Sequence, residues 1–117
     1  MTRMPAPAVA VAIAQFAPSA DSEANARQIA RMVDVAADRG AKLVVFPEYS
    51  SYFVDPFDQT LPRHAQDVDG PFVAALHQSA QRTGAVIVAG LIETASNPAK
   101  VRNAVVAVGP SGVLAVY

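Results

Sequence analysis

Residues 41–49, Ala-Lys-Leu-Val-Val-Phe-Pro-Glu-Tyr, join an apolar strand to a single carboxylate. Residues 43–46 have the length and apolar character of a short buried strand, which the proline ends. Glu48 then lies at the carboxyl end of that strand, the edge at which open α/β sheets place their active sites. A carboxylate in this position is suited to general-base chemistry. Glu48 is therefore the leading catalytic candidate, although on residue type alone a helix cap or an ion pair with an arginine is the commoner role. We expect it to point into a cavity at this edge of the sheet and not into bulk water.

Apolar and amphipathic segments alternate on both sides of this strand. A largely apolar run at residues 8–16 predicts a strand that is covered on both faces. Residues 22–39 carry apolar residues at helical spacing behind Asp21 or Ser22 as N-cap, and residues 70–83 predict a second helix. Further strands are predicted at residues 42–46, 85–91 and 102–108, and a fifth begins at residue 113. This order predicts an α/β fold with a mixed sheet.

The segment at residues 49–69 has no periodicity, and Pro56 and Pro62 exclude a long helix there. An irregular segment of this length in a compact domain is often functional. Aromatic side chains are concentrated in its first part: Tyr49, Tyr52, Phe53 and Phe57. They are candidates to wall a substrate pocket, since such pockets are mostly apolar. The alternative is that they anchor the segment to the core or contact a partner subunit.

Composition and charge exclude several classes of protein. The net charge is −1 and the nine basic residues are scattered, so no nucleic-acid partner is expected. The chain has no cysteine, which excludes disulfides and cysteine metal sites. Its apolar runs are of strand length, too short for a membrane span. Residues 1–7 are predicted to be a loose leader, too polar for the core of a signal peptide, and a cytoplasmic location is the default expectation.

Two rival sites are weakly indicated in the irregular segment. Ser50 or Ser51 with His64 and Asp67 would make a serine-hydrolase triad, but the sequence lacks the Gly-x-Ser-x-Gly elbow that usually presents the serine. His64, Asp67 and Asp69 would make a metal site only if they converged, and such residues on a loop are usually solvated. No phosphate-binding glycine loop is present. The sequence therefore predicts no metal and no cofactor.

Four segments, in the same order, resemble motifs of the nitrilase (carbon–nitrogen hydrolase) superfamily. Residues 41–49 resemble its first catalytic motif, residues 69–71 its Asp-Gly-Pro helix entry, residues 89–93 its Gly-x-x-Glu strand end, and residues 102–112 its Asn-containing strand and hairpin. The resemblance covers residues 8–117. It implies the N-terminal part of an α-β-β-α sandwich: a mixed sheet with two helices on one face and a second sheet against the other.

The resemblance also implies a chemistry. Members of this superfamily use a glutamate as base, a cysteine as nucleophile and a lysine to stabilise the oxyanion. Glu48 matches the glutamate. The lysine of the family is expected at the end of the strand that reaches Tyr117, and the cysteine beyond it, so Lys100 does not replace the lysine. The implied activity is hydrolysis of non-peptide carbon–nitrogen bonds in a small molecule, with an amide favoured over a nitrile.

Further expectations concern supporting residues and partners. Glu93 and Asn103 each end or open a strand, and each could hydrogen-bond the loop that carries Glu48, although ordinary loop bracing is the commoner role. Residues 1–117 are expected to be the N-terminal segment of a single hydrolase domain, completed by a C-terminal part or by another copy of the chain. The alternative function is a non-catalytic binding or assembly module with the same half-fold.

Overall fold

The structure, a computed structural model, describes residue 6 and residues 8–117. Its elements are β1 (Val11–Ile13), α1 (Ser22–Asp38), β2 (Leu43–Val45), a short 3-10 helix (Leu61–His64), α2 (Pro71–Thr83), β3 (Val86–Thr94), β4 (Val101–Gly109) and β5 (Gly112–Val116). The five strands form one sheet in sequence order. The first three are parallel and the last two are antiparallel to their neighbours. The predicted α/β fold with a mixed sheet is confirmed.

Both helices begin and end where local chemistry requires it. The side chain of Asp21 accepts a hydrogen bond from the Ala24 amide at 3.0 Å and so caps α1, as predicted. Gly84 ends α2 in the left-handed conformation with φ of 78°, which glycine adopts without steric cost. The helix bounds agree with the predicted ones to within one residue at each end.

The two helices pack on the same face of the sheet, here called the covered face. Alternate strand residues point to it, and its members are buried in one apolar cluster with the inner sides of both helices. The sheet contributes Val44, Ile87, Ala89, Leu91, Ala104, Val106 and Val108, and the helices contribute Ile29, Val33, Ala36, Phe72, Leu76 and Ala80. The burial of these side chains is the main favourable contribution to folding.

The opposite surface of the sheet, here called the open face, has no helix against it among residues 8–117. Val11 is 51% exposed, Ile13 78% and Val105 38%. The prediction of a strand at residues 8–16 covered on both faces is wrong for this chain. Regular pairing extends over only three residues of β1, and of these only Ala12 packs against the apolar cluster on the covered face.

Neither helix among the described residues is long and apolar enough to cross a membrane. The predicted loose leader falls almost entirely on residues 1–5 and 7, which lie outside the described part of the chain. The cytoplasmic location stays a prediction.

Candidate active site

Glu48 follows β2 in a turn that lies directly against β3. The Gly90 amide donates a hydrogen bond to the Pro47 carbonyl at 3.2 Å, and the Ser51 amide donates to the Gly90 carbonyl at 3.1 Å. A Cβ atom on Gly90 would lie 2.5 Å from the Tyr49 nitrogen and 2.9 Å from the Glu48 Cα. Only glycine permits this approach of the two backbones, so the sequence at Gly90 fixes the position of Glu48.

Two buried serines hold the same turn from inside. The Ser50 hydroxyl donates to the Pro47 carbonyl at 2.6 Å, and the Ser51 hydroxyl accepts from the Ile92 amide at 2.9 Å. Between them and Glu48, Tyr49 has a φ of 59°, a conformation that is uncommon for a residue with a side chain. Backbone strain of this kind persists where surrounding contacts enforce it, and here it orients the residue next to Glu48.

The serine-triad alternative is wrong. Ser50 and Ser51 are buried, and their hydroxyls are engaged with backbone groups of the turn and of β3. His64 stacks its ring on that of Tyr52, with centroids 4.1 Å apart and planes 8° from parallel. Among the described residues, no hydrogen bond joins His64 to either serine. The serines are structural residues.

The carboxylate of Glu48 meets a side chain from β4. Asn103 donates from Nδ2 to Glu48 Oε1 at 2.5 Å, and its Nδ2 also lies 3.4 Å from the Tyr49 hydroxyl. Glu48 itself is exposed, so the expectation that it points into a cavity is not met in this chain. The reason is that it lies on the open face, which the described residues cover only where the Glu48 turn packs on Gly90 and beside it at Ile92.

Three aromatic side chains form a cluster beside this carboxylate. The ring of Tyr49 lies 6.0 Å from that of Phe53 and 5.1 Å from that of Phe57, and the latter two are 5.3 Å apart. Phe53 is 37% exposed. The structure therefore brings three of the four pocket candidates, Tyr49, Phe53 and Phe57, together, and Tyr49 links them to the Asn103 amide that contacts Glu48. Tyr52 is buried and faces His64 instead. Their role as a pocket wall stays a prediction.

Glu93 and Asn103, predicted together, occupy different positions. Asn103 contacts Glu48 directly, whereas the Glu93 carboxylate lies 3.8 Å from the Arg102 guanidinium. Among the described residues, the hydrogen bonds do not join the Glu93 side chain to the turn that carries Glu48. The backbone on either side of Glu93 braces the irregular segment, because Gln66 pairs with that part of β3.

Asn25, a buried polar residue of α1, was not predicted from the sequence. Its Oδ1 accepts from the Ser19 amide at 2.9 Å, and its Nδ2 donates to the carbonyls of Ser19 at 2.9 Å and Ser51 at 3.3 Å. It thereby ties the first helix to the Glu48 turn. The sequence does contain a sign of this role. Asn25 lies four positions before Ile29, on the buried side of an amphipathic helix. A buried polar group at such a position needs partners.

Gln66 was also missed. Its Oε1 accepts from the Phe72 amide at 2.8 Å, and its Nε2 donates to the Ser22 hydroxyl at 3.0 Å. Gly70 occupies the N-cap position of α2 but has no side chain with which to cap, and Gln66 supplies that bond from outside the helix. The irregular segment is thus fixed to the starts of both helices, which limits the freedom of the loop beside Glu48.

The described residues contain no cluster of metal ligands, and one carboxyl group among them has a lowered pKa. Among them, no group of three or more potential metal ligands converges, and His64, Asp67 and Asp69 do not form one. The pKa of the Asp58 carboxyl is lowered, chiefly by the Thr60 hydroxyl that donates to it at 2.6 Å and also by the Thr60 amide at 2.8 Å. That contact belongs to an exposed turn of the loop.

The family model for carbon-nitrogen hydrolases matches residues 10–117. The chain belongs to the carbon–nitrogen hydrolase family. Two curated proteins from strains of Mycobacterium tuberculosis, each named as a hydrolase, are 32% identical to it over 100 residues. Those matches cover 86% of this chain and 34% of each relative. The chain thus spans about a third of the length of the curated relatives it matches.

Three solved structures share the fold of this chain. A CN-hydrolase superfamily protein from Xanthomonas campestris has a TM-score of 0.70 at 25% identity, covering 93% of this chain and 37% of that one. An amidase from Nesterenkonia sp. has a TM-score of 0.74 at 22% identity, covering 93% and 41%. The C. elegans NitFhit protein has a TM-score of 0.80 at 17% identity, covering 92% and 26%. The nitrilase-type fold predicted from the sequence is confirmed.

Proposed function

We propose that Glu48 is the general base of an amide-hydrolysing carbon–nitrogen hydrolase. The observation that carries this proposal is the Glu48 carboxylate itself, exposed at the carboxyl end of β2 and held by Asn103. A base must be reachable by the group whose proton it takes, and this carboxylate is. Family membership supports the hydrolase class, and the Nesterenkonia structure is that of an amidase.

The proposed mechanism uses a glutamate, a lysine and a cysteine. Glu48 takes the proton of a cysteine thiol, and the thiolate attacks the amide carbon. A lysine ammonium stabilises the oxyanion that develops on the carbonyl oxygen. The protonated carboxyl group then gives its proton to the leaving amine, and water hydrolyses the thioester to the acid. The Nesterenkonia amidase has an active-site cysteine. The 117 residues here contain none, so we expect them to hydrolyse no amide on their own.

We also propose that the open face is covered in the complete enzyme by the downstream part of the same protein. The match covers only 34% of each curated relative, and an apolar surface of this kind is rarely left bare on a monomer. A second copy of the chain is the alternative occupant. Light scattering on the 117-residue segment checks this, because a stable and non-aggregating monomer would contradict the proposal.

The test of the catalytic role is Glu48→Gln in the full-length protein. This variant keeps the shape of the side chain and removes its basicity, so kcat for amide hydrolysis should fall by roughly 10²- to 10⁴-fold. Glu23→Gln is the matched control, because Glu23 lies on α1 with a side chain that is 92% exposed. Near-normal turnover in a folded Glu48→Gln variant would refute the assignment.

A non-catalytic binding or assembly module with the same half-fold is the second candidate. It is favoured by the absence of cysteine from the 117 residues. The coding sequence after Tyr117 separates the two: a lysine close behind and a cysteine further on would support the enzyme, and their absence would support the module.

A further inference from the structure

Asn103 contacts the proposed base from a rigid element. It lies on β4 opposite Ile92 of β3, and two residues further on the Val105 backbone is hydrogen-bonded to Tyr117 on the other side. At Asn103 itself β4 is paired with β3, and pairing on both edges begins two residues later. A side chain on a paired strand is held more firmly than one on a loop, so Asn103 presents its amide to Glu48 from a position that the sheet fixes.

The backbone of the Glu48 turn is equally constrained. The Pro47 carbonyl and the Ser51 amide are both bonded to Gly90, and the glycine leaves no space for the turn to shift toward β3. The main remaining freedom is rotation of the Glu48 side chain itself. The hydrogen bond from Asn103 Nδ2 to Glu48 Oε1, 2.5 Å long, restricts that rotation.

We propose that Asn103 is a positioning residue that directs the transferred proton to Oε2 of Glu48. This rests on the proposed function. Nδ2 is a donor and cannot take a proton from the nucleophile. A proton on Oε1 would weaken the bond from Asn103, because it withdraws electron density from the accepting oxygen. Oε2 has no hydrogen-bond partner among the described residues, so the thiol proton binds there and the Asn103 contact is kept.

Few other ionisable groups of the described residues surround this contact. On the neighbouring strands, Glu93 and Arg102 are paired with each other at 3.8 Å. On the turn itself, the Tyr49 hydroxyl lies 3.4 Å from Nδ2 of Asn103. Asn103 is exposed among the described residues, but it lies on the open face that we propose to be covered in the full-length protein. Thermal denaturation of each full-length variant therefore accompanies the kinetic measurement and separates an effect on catalysis from an effect on folding.

The test compares Asn103→Asp and Asn103→Ala in the full-length protein by the pH dependence of kcat/KM for amide hydrolysis. The aspartate has the same shape, donates nothing when ionised and places a second negative charge beside Glu48. Both variants should lower kcat/KM roughly 10- to 100-fold and move the ascending limb of the profile to higher pH, by about one unit for the aspartate. Asn103→Gln, which keeps the amide donor, should restore part of the activity.

Asn97→Asp is the matched control, because it makes the same change of charge in the exposed turn before β4. It should leave the profile in place. If the Asn103 variants lose thermal stability but keep the wild-type limb, Asn103 is only structural and the inference is wrong. If Glu48→Gln itself stays active, the proposed function fails instead, so the two failures are distinguishable.

Discussion

The two faces of the sheet differ in what their residues do. The covered face is closed by α1 and α2, and its side chains are apolar and buried. The open face carries exposed valine and isoleucine along β1 and β4, and Glu48 and Asn103 lie at its end. Most of the apolar burial is therefore on one face, while the candidate chemistry is on the other.

This division has a physical reason. A carboxylate that must exchange a proton needs access to substrate and costs free energy if it is buried unpaired. Packing both helices on the opposite face lets the core close without burying Glu48. The Glu48 turn is still rigid, because it is fixed to β3 through Gly90 and to α1 through Asn25. The covered face thus supports the site from behind.

The largest expected effect on stability is that of Ile87→Ala. Ile87 is fully buried at the centre of the covered face. Its truncation removes apolar contacts and leaves a cavity, which should lower the free energy of unfolding by about 2–5 kcal/mol. Urea denaturation, monitored by circular dichroism, measures this change in the free energy of unfolding.

Ile13→Ala is the matched control on the open face. Ile13 is 78% exposed among the described residues, so without a covering layer the change should stay within about 0.5 kcal/mol. In the full-length protein the proposed covering layer would bury it, and the substitution should cost about 2 kcal/mol or more. A change within about 0.5 kcal/mol in the full-length protein would contradict the proposal that downstream residues cover the open face.

Gly90→Ala should have a smaller effect on stability but should disturb the site. The added Cβ would meet backbone atoms of Glu48 and Tyr49 at 2.9 Å and 2.5 Å, and backbone cannot rotate away. The expected cost is about 1–3 kcal/mol, with a loss of turnover in the full-length protein because Glu48 moves.

Gly109→Ala is the control for that substitution. A Cβ at Gly109 would meet the end of the Leu114 side chain at 3.0 Å, and this exposed side chain can turn aside. We expect a change of less than about 1 kcal/mol. If the two variants lose stability and turnover equally, close approach at Gly90 is not what positions the turn.

Much of the fold could be predicted because its signals are local. The helices were bounded by capping and stop residues, and the strands by their apolar runs and turns. The error at residues 8–16 has a different origin. An apolar run indicates that a strand suits burial, but it does not say which layer provides the burial. In this chain only one side of β1 has such a layer.

The candidate site was only partly predictable, because several of its contacts join residues that are distant in sequence. Glu48 follows from its position after a strand, and Asn103 was expected to hydrogen-bond the loop that carries Glu48, without the partner atom being known. Asn25 and Gln66 were missed because their partners are distant in sequence. The Asn25 bond to Ser51 spans 26 residues, and the Gln66 bond to Ser22 spans 44. Neither partner is visible before the helices and the loop are placed together.

The smallest expected effect on stability is that of the half-exposed ion pair between α1 and α2, the two helices that pack on the covered face. Arg82 Nη2 and Nε lie 2.8 Å and 3.0 Å from the same oxygen of Asp34. Both side chains are about half exposed, at 47% and 51%. A double-mutant cycle with Arg82→Ala and Asp34→Ala should give a coupling of about 0.2–1 kcal/mol, which 1 M salt should largely abolish.

The pair Arg27 and Glu23, separated by 4.0 Å within α1 and more exposed, should give a still weaker coupling under the same conditions. A larger coupling energy between Arg82 and Asp34, unchanged by salt, would contradict the view that apolar burial on the covered face holds the helices in place. It would mean that electrostatic contact, and not the burial of residues such as Ile29 and Leu76, holds the two helices against the sheet.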